Sequence, residues 1–119
     1  MVIDIEKEDV SMLTDDMIFD LTNGLQNIFG SEIYQIILYG SAARNEATEE
    51  SDIDIAILLT KEMDTRVRDR FIDRAAKIDR KYGKVFSIVD ISREKMEQWG
   101  NVLPFYRNIR KEGIVLWAA

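Results

Sequence analysis

The sequence of 119 residues contains no cysteine, no histidine and a single proline. Without cysteine there is no disulfide framework and no thiolate metal site. Without histidine, imidazole general bases, serine triads and the usual zinc sites are excluded together. Any catalysis falls to carboxylates, bound metal, hydroxyls and backbone donors. Long hydrophobic runs are missing too. None approaches the roughly 20 residues that span a bilayer. The opening MVIDIEKEDV lacks the basic-then-apolar pattern of a signal peptide. These absences point to a cytoplasmic protein with no membrane partner. Positive charge is in short supply: 16 Lys and Arg face 22 Asp and Glu, for a net charge of −6. Such a chain repels phosphates unless a basic patch is segregated, so direct nucleic-acid binding is not expected. The same charge suits a basic protein partner, and it also serves simply to keep a small domain soluble.

The chain is expected to form one domain over residues 1–119 with one core, since 46% of its residues are hydrophobic. Residues 1–10 read as a loosely held lead-in. Leu13, Met17, Ile18, Leu21, Leu25 and Ile28 recur at helical spacing, which predicts a helix from about Met12 to Phe29. Thr14 offers a slightly later capped start, and Gly30 a stop. Apolar runs predict strands at Ile33–Tyr39, Asp52–Leu59 and Val85–Ile91. A short helix or turn is expected over Ser41–Ala47. The second strand is apolar on both faces after Asp54, so it should lie inside its sheet. A stripe from Val67 through Phe71, Ala75 and Ile78 to Tyr82 predicts a helix over Asp64–Tyr82. Its other faces carry Arg66, Arg68, Arg70, Arg74, Lys77, Arg80 and Lys81. That basic face suits water, an acidic partner or a nucleotide tail. Ser92 caps a short helix to about Gln98. Pro104 opens another to Glu112, and Ile114–Trp117 is a last short strand. The order predicts an α/β fold, a small mixed sheet covered by helices.

The chemistry gathers between Gly40 and Asp54, which read GSAARNEATEESDID. Asp52 and Asp54 are two apart, so on a strand their side chains share a face, roughly 6.6 Å apart along the chain. Two like charges that close repel, and a cation is a natural reason to keep both. Carboxylates without imidazole or thiolate favour Mg²⁺ or Mn²⁺. An Asp-x-Asp alone is a weak signal, since a strand start with acids in water reads the same. Asp90, at the end of an apolar strand, is expected to complete a three-carboxylate site for two metal ions. Gly40 and Ser41 form a turn whose N–H groups and hydroxyl suit an anion. Together the two features place a metal-bound phosphate between them.

Gly40-Ser41-Ala42-Ala43-Arg44, followed by Ser51-Asp52-Ile53-Asp54, resembles the signature of the minimal nucleotidyltransferases of the DNA polymerase beta superfamily. Asn45 stands where that family usually has Gly, and Asn tolerates a left-handed backbone better than most residues. The resemblance implies the polymerase-beta-type nucleotidyltransferase fold. It implies that Asp52, Asp54 and Asp90 bind Mg²⁺, with Asp90 as third ligand or as base. It implies that Gly40, Ser41, Arg44 and Ser51 serve the nucleotide, and that AMP passes from ATP to an acceptor hydroxyl with release of pyrophosphate. A chain this short is similar to the antitoxins paired with all-helical HEPN toxins, in which AMP is added to a tyrosine of the toxin. That is the leading expectation, with a homo-oligomer as a further arrangement. A module that neutralises its partner by contact alone is the second. Transfer to a small molecule such as an aminoglycoside is the third. A sugar-nucleotide glycosyltransferase is disfavoured by length and by Gly40-Ser41.

Overall fold

The computed structural model describes residues 13–119. The lead-in expected over residues 1–10, and Met12 as a helix start, lie outside the described residues. Helix α1 (Asp15–Phe29) takes the later start. The Thr14 hydroxyl accepts a hydrogen bond from the Met17 N–H at 3.2 Å, and Asp15 and Asp16 occupy the first turn. Met17, Leu21, Leu25 and Phe29 are buried at four-residue spacing. A short 3₁₀ turn (Gly30–Glu32), not anticipated from the sequence, leads into strand β1 (Ile33–Tyr39).

Helix α2 (Gly40–Ala43) is shorter than expected, because Asn45 adopts φ 58° and the chain turns away there. Asn45 is the one non-glycine residue with positive φ among the described residues. Strand β2 (Ile53–Leu59) begins one residue later than expected, leaving Asp52 just outside it. Helix α3 (Thr65–Tyr82) is capped by Asp64, whose carboxylate accepts from the Val67 N–H at 2.8 Å, and Gly83 ends it in a left-handed conformation. Strand β3 (Phe86–Ser92), helices α4 (Arg93–Trp99) and α5 (Pro104–Glu112), and strand β4 (Ile114–Ala118) complete the described chain.

The four strands lie in the order β3-β2-β1-β4. β1 is antiparallel to both β2 and β4, while β2 and β3 run parallel. β2 is therefore internal, as its unbroken apolar run demands. The sheet buries both faces. On one, Ile36, Leu38, Ile53, Ile55, Ile57 and Leu59 pack against Leu21, Leu25 and Phe29 of α1 and Phe71 and Ile78 of α3. On the other, Ile37, Ala56, Leu58 and Ile91 meet Met96 of α4 and Ile109 of α5. The first face is the larger core. The second is thinner, and the loop and helix beside it leave Val102, Leu103 and Phe105 exposed. Among the described residues no helix is long and apolar enough to cross a membrane.

Candidate active site

The site lies where β1 ends and β2 begins. Tyr39, the last residue of β1, pairs in register with Asp54. The next residue, Gly40, has φ 74° and opens α2. A side chain there would run straight into the Asp54 carboxylate. Glycine is thus required twice over, by its backbone angle and by the acid pressed against it. Below the turn, buried Ala42 anchors α2 in the larger core. The Ser41 carbonyl accepts from the Glu46 N–H at 2.8 Å, which folds the following loop back over the turn.

Asp52 is exposed and Asp54 half-buried. Burial pushes the Asp54 carboxyl above the ordinary carboxylate range, and the charge of Asp52 pushes it further, while Arg44 draws it back. The two acids therefore sense each other without a full compensating charge from the protein. That donor set, two hard oxygens beside a turn that a Cβ would fill, fits a divalent cation carrying phosphate.

Arg44 stands at the rim. Its guanidinium meets Glu46 at 2.6 Å and Glu112 of α5 at 3.9 Å. Those carboxylates, Glu46 foremost, raise its pKa. Ser51 turns out to hold the loop. Its hydroxyl accepts from the Thr48 N–H at 2.9 Å, and its own N–H donates to the Thr48 carbonyl at 3.0 Å. These bonds tie Ser51 to Thr48 on the approach to Asp52.

Asp90 is not part of this cluster. In the parallel pairing of β2 with β3, Asp54 faces Ser87, and Asp90 faces Ile57. Asp90 is thus three residues further along, about 10 Å away by strand rise. An odd offset also reverses the face, since side chains alternate. Asp90 points toward α3, where it lies 3.8 Å from Arg68. Among the described residues no three acids are placed so that together they could hold a metal ion. The structure brings Asp52 and Asp54 together but not Asp90, and Ser87 is the neighbour of Asp54 on β3.

The basic face of α3 does not reach the site either. Three of its cations pair elsewhere: Lys77 with Asp73 at 3.1 Å, Lys81 with Asp20 of α1 at 2.6 Å, and Arg68 with Asp90 of β3 at 3.8 Å. Sequence reasoning missed the wall opposite the turn. Tyr39, Gly40, Arg44, Phe105, Asn108 and Glu112 line a cleft of about 200 Å³ beside the carboxylate pair. Phe105, Asn108 and Glu112 recur at helical spacing on α5, with Ile109 buried on its core side. That polar-aromatic stripe was the available signal.

A mixed sheet covered by helices, with a glycine turn held against paired carboxylates at one strand end, defines a phosphate-transfer domain. The family described as "Polymerase beta, Nucleotidyltransferase" matches residues 23–119, and the chain belongs to it: it is a nucleotidyltransferase. A curated relative from Methanocaldococcus jannaschii, named "Putative protein adenylyltransferase MJ0604", is 39% identical over 101 residues, covering 82% of this chain and 92% of that one. Among solved structures, a chain of a toxin–antitoxin complex with AMP-PNP superposes with a TM-score of 0.63 at 22% identity, covering 86% of this chain and 73% of that one. A chain of a complex between a tri-AMPylated HEPN toxin and an MNT antitoxin from Shewanella oneidensis gives 0.56 at 19%, covering 87% and 71%. At those identities the structures show the shared fold.

Proposed function

We propose that this nucleotidyltransferase is a Mg²⁺-dependent adenylyltransferase that moves AMP from ATP to a tyrosine hydroxyl of a partner HEPN toxin, acting as its antitoxin. The observation that carries the proposal is the contact between Gly40 and the Asp54 carboxylate, with Asp52 beside it. It brings a glycine turn suited to phosphate against a carboxylate pair suited to a cation. The adenylyltransferase name of the relative and the AMP-bearing toxin complex among the structural neighbours support the same reading.

In this reading Asp52 and Asp54 hold the cation, with Mn²⁺ able to replace Mg²⁺. Bound there, it would neutralise the triphosphate and steady the departing pyrophosphate. Gly40 and Ser41 hold the terminal phosphates through the open turn. Arg44, tethered to two glutamates, supplies positive charge at the rim. The acceptor oxygen attacks the α-phosphorus and a new P–O bond forms. The bond from the α-phosphorus to the bridging oxygen breaks, pyrophosphate leaves, and the hydroxyl proton is released. Ser51 keeps Asp52 in place through Thr48.

The test is to incubate the protein with Mg²⁺, ATP labelled at the α-phosphate and a HEPN protein from the same host, then to map the label by mass spectrometry. The proposal expects AMP on a tyrosine of the partner, and loss of label and of neutralisation together in Asp52→Asn and Asp54→Asn. Neutralisation that survives both substitutions would contradict transfer and leave a module acting by contact. Label on an added aminoglycoside and none on protein would replace the acceptor.

A further inference from the structure

The outer face of the α1–α3 layer carries charge that the fold does not consume. α3 holds seven of the chain's 16 cations and three of its 22 acids, so a net positive helix sits on a net negative chain. Arg66, Arg70, Arg74, Lys77 and Arg80 are exposed and recur at three- and four-residue spacing, which lines them along one ridge away from buried Phe71 and Ile78. By helical rise the ridge runs about 21 Å, with roughly one cation per turn. Lys77 pairs with Asp73 at 3.1 Å, and Arg74 lies along Gly24 of α1, where a Cβ would meet its side chain at 3.3 Å. Among the described residues Arg66, Arg70 and Arg80 form no ion pair. α1 runs antiparallel beside this ridge, since Asp20 meets Lys81 and Gly24 meets Arg74. Next to Asp20, Phe19 is 66% exposed.

We propose that this face binds single-stranded nucleic acid, with the arginine ridge along the phosphates and Phe19 stacked on a base. The proposal goes beyond the transfer reaction and uses none of its residues. A chain of net charge −6 repels phosphate except where its cations are segregated, and α3 meets that condition. Four of the five ridge cations are arginines, whose planar forks match two phosphate oxygens at once. Single-strand binders combine such a track with an aromatic side chain on which a base lies. An acidic protein is the competing occupant of a basic face. A protein interface, however, is built round a fully buried apolar centre. Ile72, the exposed apolar residue of α3, is two residues and so about 200° around the helix from Arg74, on the flank turned away from α1. That leaves Phe19 as a single ring set among cations, the pattern of a base-stacking site.

The test is fluorescence anisotropy with a labelled oligouridylate of about twelve nucleotides, within the span of single-strand sites, titrated across a salt series. The wild type is expected to bind at low salt, with affinity falling as about the second to third power of salt concentration as roughly three to four phosphates are neutralised. Arg66→Ala combined with Arg70→Ala should weaken binding by about tenfold or more and lower that power by about 1.4. Phe19→Ala should weaken it about tenfold with the power unchanged, and Phe19→Trp should restore it. All three side chains are exposed, so melting temperature and AMP transfer should stay as in the wild type. A wild type that fails to bind at low salt overturns the proposal, as does an arginine double variant that binds as the wild type does. Equimolar Mg·ATP should leave the complex intact, and displacement by it would put the strand at the carboxylate pair and overturn the proposal. Unlabelled polyglutamate is the control for an acidic protein. If it displaces the oligonucleotide as well as unlabelled oligouridylate of equal charge does, the face belongs to an acidic partner and the proposal falls.

Discussion

The two faces of the sheet treat an aspartate in opposite ways. On the α1–α3 side, Asp20 accepts hydrogen bonds from Lys81, at 2.6 Å, and from the Tyr82 hydroxyl. Those partners, Lys81 first, hold its carboxyl below the ordinary range. On the α4–α5 side, burial and Asp52 push Asp54 above it. One carboxylate is satisfied by its own chain and staples two helices together. The other is left short of positive charge and faces an open turn. The same division runs through the packing. The α1–α3 face carries the larger core and its side-chain clamps, and the α4–α5 face keeps a thin core with an exposed aromatic platform. In the proposed reading, stability and chemistry are assigned to different sides of one sheet, with β2 serving both through alternate residues.

Substitutions can break that division or sharpen it. The largest effect is expected at Asp54→Asn, which removes charge from the working side. Transfer should fall by about two to three orders of magnitude. Its apo stability at neutral pH should hold or rise, since an ionised Asp54 costs folding energy there, and stabilisation by Mg²⁺ should disappear. Activity assays with thermal melts in the presence and absence of Mg²⁺ measure both. Leu21→Ala empties a fully buried position on the other side. It should cost about 2–5 kcal/mol of stability, read by urea denaturation, and leave transfer per folded molecule unchanged. Gly40→Ala touches both properties. The left-handed backbone costs about 1–3 kcal/mol, and the added methyl displaces Asp54, so melting temperature and transfer should fall together.

Acid titration separates the two aspartates with a smaller effect. Asp20 has a lowered pKa in the fold, so its stabilisation is present above the unfolded value near 3.9 and is lost as pH falls through the folded value. Asp54 has a raised pKa, so its contribution has the opposite sign. The penalty for its charge is complete above the folded value and fades as pH falls toward the unfolded one. Asp20→Asn should therefore flatten the acid-side loss of stability, and Asp54→Asn should steepen it. Denaturation midpoints across that range are the measurement.

The core and the glycine–carboxylate motif could be read from the sequence because both are written in local spacing. Helix caps at Thr14, Asp64 and Ser92, the uninterrupted apolar run of β2, and Gly40-Ser41 ahead of Asp-x-Asp all depend on residues close together in the chain. Asn45 shows the same legibility: the tolerance for a left-handed backbone inferred from its type is met by φ 58°. What escaped depends on register. An acid at Asp90 can be placed on a strand, but which face it shares with Asp54 is set by the offset between β2 and β3, and no local pattern records that offset. Ser51 escaped for another reason. Its place in the motif says nothing about whether its hydroxyl turns outward or back to Thr48. The α5 wall of the cleft reaches the site only through packing of a helix some fifty residues away in sequence.

The most direct test of the central claim, that the working site is a carboxylate pair and that Asp90 belongs to the packed side, compares Asp54→Asn with Asp90→Asn in single-turnover transfer of labelled AMP to the partner. The account predicts that Asp54→Asn loses transfer by orders of magnitude while Asp90→Asn stays within about twofold of wild type, having lost only its loose pairing with an exposed arginine. Equal loss in a folded Asp90→Asn protein would contradict the account and return Asp90 to the chemistry.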